Sequence, residues 1–311
     1  MALSRVARAA ALGALCLCRS VSASAQAFTP PERVGSATLS WQFVDNTGHR
    51  FSDGFLLARG QSRTTSLLLE VDYGVTDRLA VTAGLPYVFA KYTGALPPPS
   101  FLPVDSCQCW HSGFQDVAVA ARYRFGNRTW AVTPVVRYNR PTHDYRYEGE
   151  SVVGRNLNEM QVGVSAAVKL GGILRAASIQ TGYVYAYVER PIESISINRS
   201  NGFLDVGYAA TGKLYLRGNA NWQQTHGGLL IGSPTGTPFF PPGELGPIGS
   251  ERFRQRDRLL RANYWQAGGG VSYSLGPVDV FAAFSKYIWG KNAHNGQAYT
   301  AGASWYFDFS Q

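Results

Sequence analysis

Past its amino terminus the chain contains no apolar run near the ~18 consecutive residues that a membrane-spanning helix needs. Charge is also scarce, since only 16% of the 311 residues are Asp, Glu, Lys or Arg. Low charge with abundant Gly and aromatic residues suits a barrel better than a cytosolic enzyme. Signatures of catalysis are missing. There is no phosphate-binding loop, dinucleotide-binding glycine pattern, zincin motif or G-x-S-x-G elbow. His49, His111, His143, His226 and His294 fall about one to a loop, without the fixed spacing of metal ligands. They read as polar loop residues rather than metal or haem contacts, and no cofactor or metal is expected.

The first 25 residues have the build of a secretory leader. Arg5 and Arg8 supply the basic start, Ala9 to Cys18 the short apolar centre, and Ala23-Ser24-Ala25 the cleavage signal, with Ala25-Gln26-Ala27 as second choice. Loss of Arg5, Arg8 and Arg19 takes the formal charge from +9 to +6. The remaining excess is scattered rather than gathered into a stripe, so no nucleic-acid partner is expected. Of four cysteines, Cys107 and Cys109 survive processing. A local disulfide, or free thiols, is favoured over a metal site made with His111, which lacks a fourth ligand.

What the chain does have is strict alternation. Gly113 to Arg140 is the clearest stretch. Val117, Val119, Ala121, Tyr123 and Phe125 alternate with Asp116, Ala118, Ala120, Arg122 and Arg124. After the turn Gly126-Asn127-Arg128, Trp130, Val132, Pro134, Val136 and Tyr138 alternate with Ala131, Thr133, Val135, Arg137 and Asn139. Period-two alternation over about ten residues marks a strand, and the turn makes the pair antiparallel. The apolar side is aliphatic in the middle and aromatic at its ends, while the other side carries full charges and small residues. That is the pattern of a transmembrane β-strand with lipid outside and a polar lumen inside.

The same pattern recurs along residues 26–311, which read as one all-β, antiparallel, up-and-down transmembrane barrel. The expected strands are Ser36 to Val44, Thr64 to Tyr73, Arg78 to Lys91, the two of the hairpin, Asn158 to Leu170, Arg175 to Val188, Phe203 to Ala210, Lys213 to Gln224, Leu259 to Leu275, Val278 to Trp289 and Gln297 to Phe309. The count is about twelve. Pro86 suggests a bulge, and the facing of 278–289 is ambiguous by pattern. Tight turns follow the even strands and long loops follow most of the odd ones. Outer-membrane barrels place short turns in the periplasm and long loops outside. The expectation is therefore a Gram-negative outer-membrane location with both termini periplasmic. A soluble β-sandwich or lipocalin-like barrel is disfavoured because its strands usually run ~5–6 residues.

The inward charges are the candidate site. Glu70, Asp72, Asp116, Arg122, Arg124, Arg137, Glu159, Lys169, Asp205, Arg217 and Asp308 are expected to line the lumen, either as an ion-pair ladder or as walls that orient a solute. The longest loop, His226–Asp257, has the length to fold over the mouth.

Two stretches carry a family resemblance. One is Thr76-Asp77-Arg78-Leu79 continuing to Gly84-Leu85-Pro86-Tyr87-Val88-Phe89. The other is Ser112-Gly113-Phe114-Gln115-Asp116 running into a strand that ends Arg122-Tyr123-Arg124. Together they resemble the bacterial outer-membrane family of the MetA pathway of phenol degradation, which is transporter-like. Gln115 stands where that family usually has Gly, and Pro141-Thr142-His143 where it often has Pro-Thr-Gly. The resemblance spans about Val71 to Thr142. It implies an outer-membrane barrel tied to uptake of aromatic or other hydrophobic compounds, and it brings no catalytic residues.

Three functions follow for comparison. The first is a passive channel for small solutes, aromatic ones among them, with outer-membrane lipid as its surroundings. The second is a lipid hydrolase, because some outer-membrane phospholipases are also twelve-stranded barrels with a Ser and a His. Here His111-Ser112 and His294-Asn295-Gly296 come nearest without reproducing their spacing. The third is a structural or adhesive barrel that displays its loops. The solute and the oligomeric state are left open.

Overall fold

The computed structural model describes residues 27–58, 60–94, 107–149, 151–171, 176–231, 244, 246–247 and 249–309. The expected leader, 1–25, lies outside them. The alternating segments form one antiparallel sheet of fifteen strands. Six long strands make the first half: β1 (Val34–Arg50), β3 (Gln61–Gly74), β4 (Leu79–Thr93), β6 (Asp116–Tyr123), β8 (Trp130–Pro141) and β9 (Glu159–Lys169). The second half has β10 (Ala177–Val188), β11 (Ile197–Ala209), β12 (Leu214–Gly227), β13 (Asn263–Ser274), β14 (Val278–Lys291) and β15 (Ala293–Asp308). Three short pieces, β2 (Leu56–Leu57), β5 (His111–Phe114) and β7 (Phe125–Gly126), extend or interrupt these.

Each long strand pairs with its neighbour in sequence, and β15 closes on β1 from Val34↔Asp308 to Arg50↔Ala293. Closure leaves no strand edge, which is the condition for a sheet to lie in lipid. Among the described residues no helix is long and apolar enough to cross a membrane.

The facing follows the alternation. Leu39, Leu69, Val119, Val136, Val164, Leu204 and Val280 are exposed on the outer wall. The positions between them are buried inside, among them Asp72, Thr82, Ala120, Arg122, Thr133 and Ser165. On β8 the exposed aromatics Trp130 and Tyr138 bracket the exposed aliphatic Val132 and Val136. Eight steps of ~3.3 Å at a tilt of ~40° give a band of roughly 20 Å, close to the ~25 Å of known transmembrane barrels. Long side chains beyond the band form aromatic rows, such as Tyr183–Trp222–Trp265 with ring centroids 6.2 and 6.1 Å apart.

Polar side chains set the tight turns. The Thr76 hydroxyl accepts from the Leu79 amide (2.9 Å), and Thr211 accepts from Leu214 in the same way (2.9 Å). Each thus caps a loose donor at the end of a ladder. The Pro86 irregularity is also present. Gly84 pairs with Ala118 and Tyr87 with Phe114, so three steps on β4 oppose four on β5 and β6. The bulge sits where Pro86 has no amide to give, and its carbonyl accepts instead from Gln115 (3.0 Å).

Several boundaries differ from the expected ones, with one cause. β1 runs on to Arg50, β11 starts at Ile197 and β15 at Ala293. These extensions, such as Asp45-Asn46-Thr47-Gly48, rise past the apolar band, so their outer face need not be greasy and shows no alternation. In the other direction, Leu259 does not begin a strand. It ends α2 (Arg256–Leu259), which follows α1 (Glu251–Arg254), and Ser250 caps α1 by accepting from the Phe253 amide (3.3 Å). The ambiguous β14 has Val280, Phe284 and Ile288 outside and Asp279 and Tyr287 buried inside. Trp265 pairs with Trp289 and Gln266 with Tyr287, so a bulge at Ile288 shifts the phase.

An arginine in place of Leu69, whose neighbours on the outer wall are Leu39 and Leu85, puts a charge in the aliphatic band. Leu69→Arg should cost about 2–4 kcal/mol of folding free energy in denaturant titrations of the barrel in lipid vesicles. A Leu68→Arg control faces the lumen and should cost less.

Candidate functional site

The barrel interior is organised in three zones. The first is at the short-turn mouth, where the chain enters. Residues 27–30 turn into the barrel, and 31–33 cross its exposed rim. Ala27 is fully buried, and its backbone is held at both ends: its amide donates to Gln180 Oε1 (3.3 Å) and its carbonyl accepts from the Thr133 hydroxyl. Ala27 packs on Ala131 and Ala167 with Phe28 alongside, and the Lys169 ammonium lies 5.0 Å from the Phe28 ring centre. Pro31 crosses directly over Gly74, where a Cβ would come 2.0 Å from the Pro31 carbonyl oxygen. Arg124 anchors the segment's base by donating to Thr29 Oγ1 (3.2 Å) and to the Asp77 carbonyl (2.9 Å). The small residues Ala131 and Ala167 thus make a socket for an inserted strand of chain. A Pro-containing lead-in has no periodicity that reveals this from sequence.

The second zone is the lumen wall. Arg122 and Asp72 form a buried pair at 2.6 Å, and Thr82 donates to the same carboxylate (2.9 Å). Arg217 grips Asp205 through two nitrogens at 2.5 and 3.2 Å. Arg199 pairs with Glu159, which Gln161 also supplies with a hydrogen bond. Glu70 faces the interior beside Gly84 and acts electrostatically on Arg137, while Asp308 shares the inward phase of Ser304 and Tyr306. The Tyr145 phenol donates to Asp116. Each anticipated charge has the inward phase, and Arg124 and Lys169 belong to the entering segment's seat.

Part of the lumen remains open. A cavity of about 370 Å³ lies against β8 to β13, within the size range of small-molecule pockets. Its cations are Arg137 and Arg199, and its one carboxylate is Glu159. Amide side chains come from Gln161, Asn201, Asn221 and Gln266, and flat apolar surface from Phe203 and Tyr264. Phe203 can reach in because Gly182 lies beneath it, where a Cβ would sit 2.2 Å from the ring. Arg199 and Asn201 were hidden from sequence reading because they lie on the polar extension of β11. Their parity with Asp205 is the signal once the strand is lengthened.

The third zone is a cover at the long-loop mouth. Leu259 of α2 is fully buried with Leu157, Val188, Ile195, Ile197 and Leu229. The Arg258 guanidinium stacks 3.8 Å from the Tyr147 ring centre and donates to the Asn156 carbonyl (2.6 Å). Ile231 accepts from the Ser52 amide and donates to Asn292 Oδ1. The described parts of the β12–β13 connection therefore tie to four other loop regions, after β1, β8, β10 and β14; residues 232–243, 245 and 248 of the loop His226–Asp257 lie outside the described residues. Arg155, in the β8–β9 connection, is close enough to Arg199, Tyr264 and Asp257 to feel their fields. Burial draws its guanidinium down from the ordinary arginine value, while Tyr264 and Asp257 act the opposite way. An arginine so placed is still a cation at neutral pH. Burial, then the Asp116 carboxylate, pushes the Tyr145 phenol up, so it remains a donor.

Outside the barrel, Cys107 and Cys109 are joined as a disulfide, with His111 Nε2 at 3.6 and 3.7 Å from the two sulfurs. These three residues offer a metal ligand set only as thiols. Ser112 accepts from the Tyr87 hydroxyl (3.2 Å) rather than from His111, so the adjacent His and Ser form no dyad. His49 and His294 meet edge to face across the β1–β15 seam, with ring centroids 5.3 Å apart.

Comparison with solved structures gives the same architecture. The chain is similar to the COG4313 outer membrane channel from Pseudomonas putida F1, with a TM-score of 0.67 and 11% identity over 93% of this chain and all of that one. It is more distantly similar to the translocator domain of autotransporter NalP from Neisseria meningitidis (TM-score 0.47, 12% identity, 87% of this chain and 88% of that one). The beta domain of the Bordetella autotransporter BrkA gives 0.45 at 14% identity, over 87% of this chain and all of that one. No protein-family model and no curated protein matches the chain. At 11% identity the likeness to the first of these shows the barrel fold alone, and the finer family label read on Val71–Thr142 gains no support.

The Asp72–Arg122 pair makes a stability prediction. Arg122→Ala leaves a carboxylate buried without its counter-charge, which typically costs about 3–5 kcal/mol. Vesicle-based unfolding should show that loss, and the double variant Asp72→Asn/Arg122→Ala should recover part of it.

Proposed function

We propose that this chain is an outer-membrane channel that passes small solutes, aromatic ones among them, through its polar interior. The observation that carries the reading is the open, polar cavity inside a closed barrel whose outer wall is apolar. A lumen filled only for stability would pack its charges in pairs, as Asp72–Arg122 and Asp205–Arg217 do, and leave no such space. The similar fold of a barrel described as an outer membrane channel supports the same reading.

In this reading the barrel sits in the outer membrane of a Gram-negative bacterium, with outer-membrane lipid against its wall. The long connections face outward and both termini face the periplasm, following the usual asymmetry of such barrels. Leader cleavage after Ala25 leaves Gln26 as the first residue, so Ala27 and Phe28 remain attached and seated. Solute then enters beneath the α2 cover, occupies the cavity and leaves past the seated segment. That segment occupies the short-turn mouth, and it sets the resting permeability. Inside the mouth it is held by the two backbone hydrogen bonds of Ala27, the small apolar socket and the Arg124 and Lys169 contacts, each worth on the order of 1 kcal/mol, so it is displaced as a unit rather than residue by residue.

Planar-bilayer conductance tests this on barrels refolded without the leader. A chain starting at Gln26 should give small, discrete conductance steps. A chain starting at Pro30 should give steps several-fold larger. A silent barrel from both chains would refute the channel, and equal conductance from both would refute control by the amino-terminal segment.

A further inference from the structure

The interior arginines are not equivalent. Those at 122, 199 and 217 each have a carboxylate within 4 Å. Arg137 and Arg155 form no ion pair among the described residues; Arg137 lines the cavity, and Arg155 acts electrostatically on Arg199 and Tyr264, which line it. Arg137 donates through Nε to Asn139 Oδ1 (2.8 Å), and no acceptor for its two terminal nitrogens occurs among the described residues. That bond fixes the plane of the guanidinium while leaving its outer edge free. Arg155 makes no hydrogen bond among the described residues, and it shares the field of Arg199, a second cation. Arg199 in turn has a buried Nε that finds no acceptor among the described residues. Bringing three guanidinium groups around one space opposes folding unless something negative offsets it. Glu159 is the one carboxylate paired with any of the three among the described residues, while Glu70 acts electrostatically on Arg137, Asp116 on Arg199 and Asp257 on Arg155.

We infer that the cavity is a binding site for a small carboxylate with a flat apolar body. The inference rests on the channel reading and names its solute class. A carboxylate matches the free fork of Arg137 in two parallel, charge-assisted hydrogen bonds, which an alcohol or phenol cannot form. Arg155 and Arg199 supply the surrounding positive field. Phe203 and Tyr264 provide apolar surface for the rest of the molecule, and the amides of Gln161 and Asn201 accommodate further polar substituents. Two lumen regions then have separate roles. The paired arginines hold the wall together, and the unpaired ones select the sign of the solute.

Benzoate, benzyl alcohol and inorganic phosphate are the probes, titrated calorimetrically into the full-length barrel in detergent. Benzoate should bind, benzyl alcohol should bind at least tenfold more weakly, and phosphate should fall between them. Arg137→Gln should weaken benzoate about tenfold, the scale expected for loss of a charge-assisted pair. Arg137→Lys keeps the charge but loses the fork, and should recover only part of the affinity. Arg155→Gln, in a loop, is the second variant and should also weaken benzoate without affecting the fold. Equal binding of benzoate and benzyl alcohol, or unchanged benzoate binding in both glutamine variants, would overturn the inference. Tighter binding of phosphate than of benzoate would also overturn it, by assigning the site to compact oxyanions. Reversal potentials in a salt gradient separate the two levels of the argument. A barrel that conducts without anion preference and does not bind benzoate defeats this inference and keeps the channel. A barrel that binds benzoate yet stays silent supports the site and defeats the channel.

Discussion

Backbone pairing across the β1–β15 seam is the constraint on which the rest depends. In hydrocarbon an unpaired amide or carbonyl costs several kcal/mol, so a sheet of this length is tolerated only when its last strand meets its first. The register from Val34↔Asp308 to Arg50↔Ala293 meets that requirement along nearly the whole strand. Once closed, the sheet has only two faces, and the pleat assigns each residue to one of them. Valine, leucine and the aromatic girdles go to lipid. Every other residue goes into an enclosed space whose volume is set by strand number.

That enclosure explains the chemistry inside. Charges with no access to bulk water must find partners within the barrel. Residues far apart in sequence accordingly meet, such as Asp72 with Arg122 and Glu159 with Arg199. The twelve-stranded wall encloses more room than these pairs fill. The amino-terminal segment occupies part of the excess at one mouth, and α2 with Arg258 and Tyr147 covers the other. What is left is a small chamber with more positive than negative groups around it. The same closure that excludes lipid thus creates a compartment in which Arg137, without an ion pair among the described residues, is weakly screened by water.

Much of the wall was legible in the sequence. Alternation locates all twelve long strands, and tight turns such as Gly126-Asn127-Arg128 appear where expected, with Asn127 Oδ1 accepting from the Thr129 amide at 2.7 Å. Where alternation stops carrying information, legibility stops too. The extensions at Asp45–Arg50 and Ile197–Gly202 stand clear of lipid, so nothing forces a period of two on their sequence. The charged run Glu251 to Arg258 reads as a loop because its two short helices are held by tertiary contacts, chiefly Leu259 in its apolar cluster. The seat for Ala27 is made by Ala131, Ala167 and Thr133 from other strands, and no local signal encodes it. Pairings inside the lumen share that limit: phase shows that Arg122 and Asp72 both point inward, but not that they meet.

The most direct test of the two-faced wall is solvent accessibility along β8. Single cysteines at residues 130–138, in a background with Cys107 and Cys109 replaced by Ser, would carry nitroxide labels in lipid vesicles. Collisions with oxygen, which dissolves in lipid, and with a water-soluble nickel chelate would then be read by paramagnetic resonance. Labels replacing Trp130, Val132, Val136 and Tyr138 should collide with oxygen, and those at Ala131, Thr133, Val135 and Arg137 should be shielded from it. Uniform accessibility, or the opposite phase with the label at Arg137 in lipid, would contradict the account.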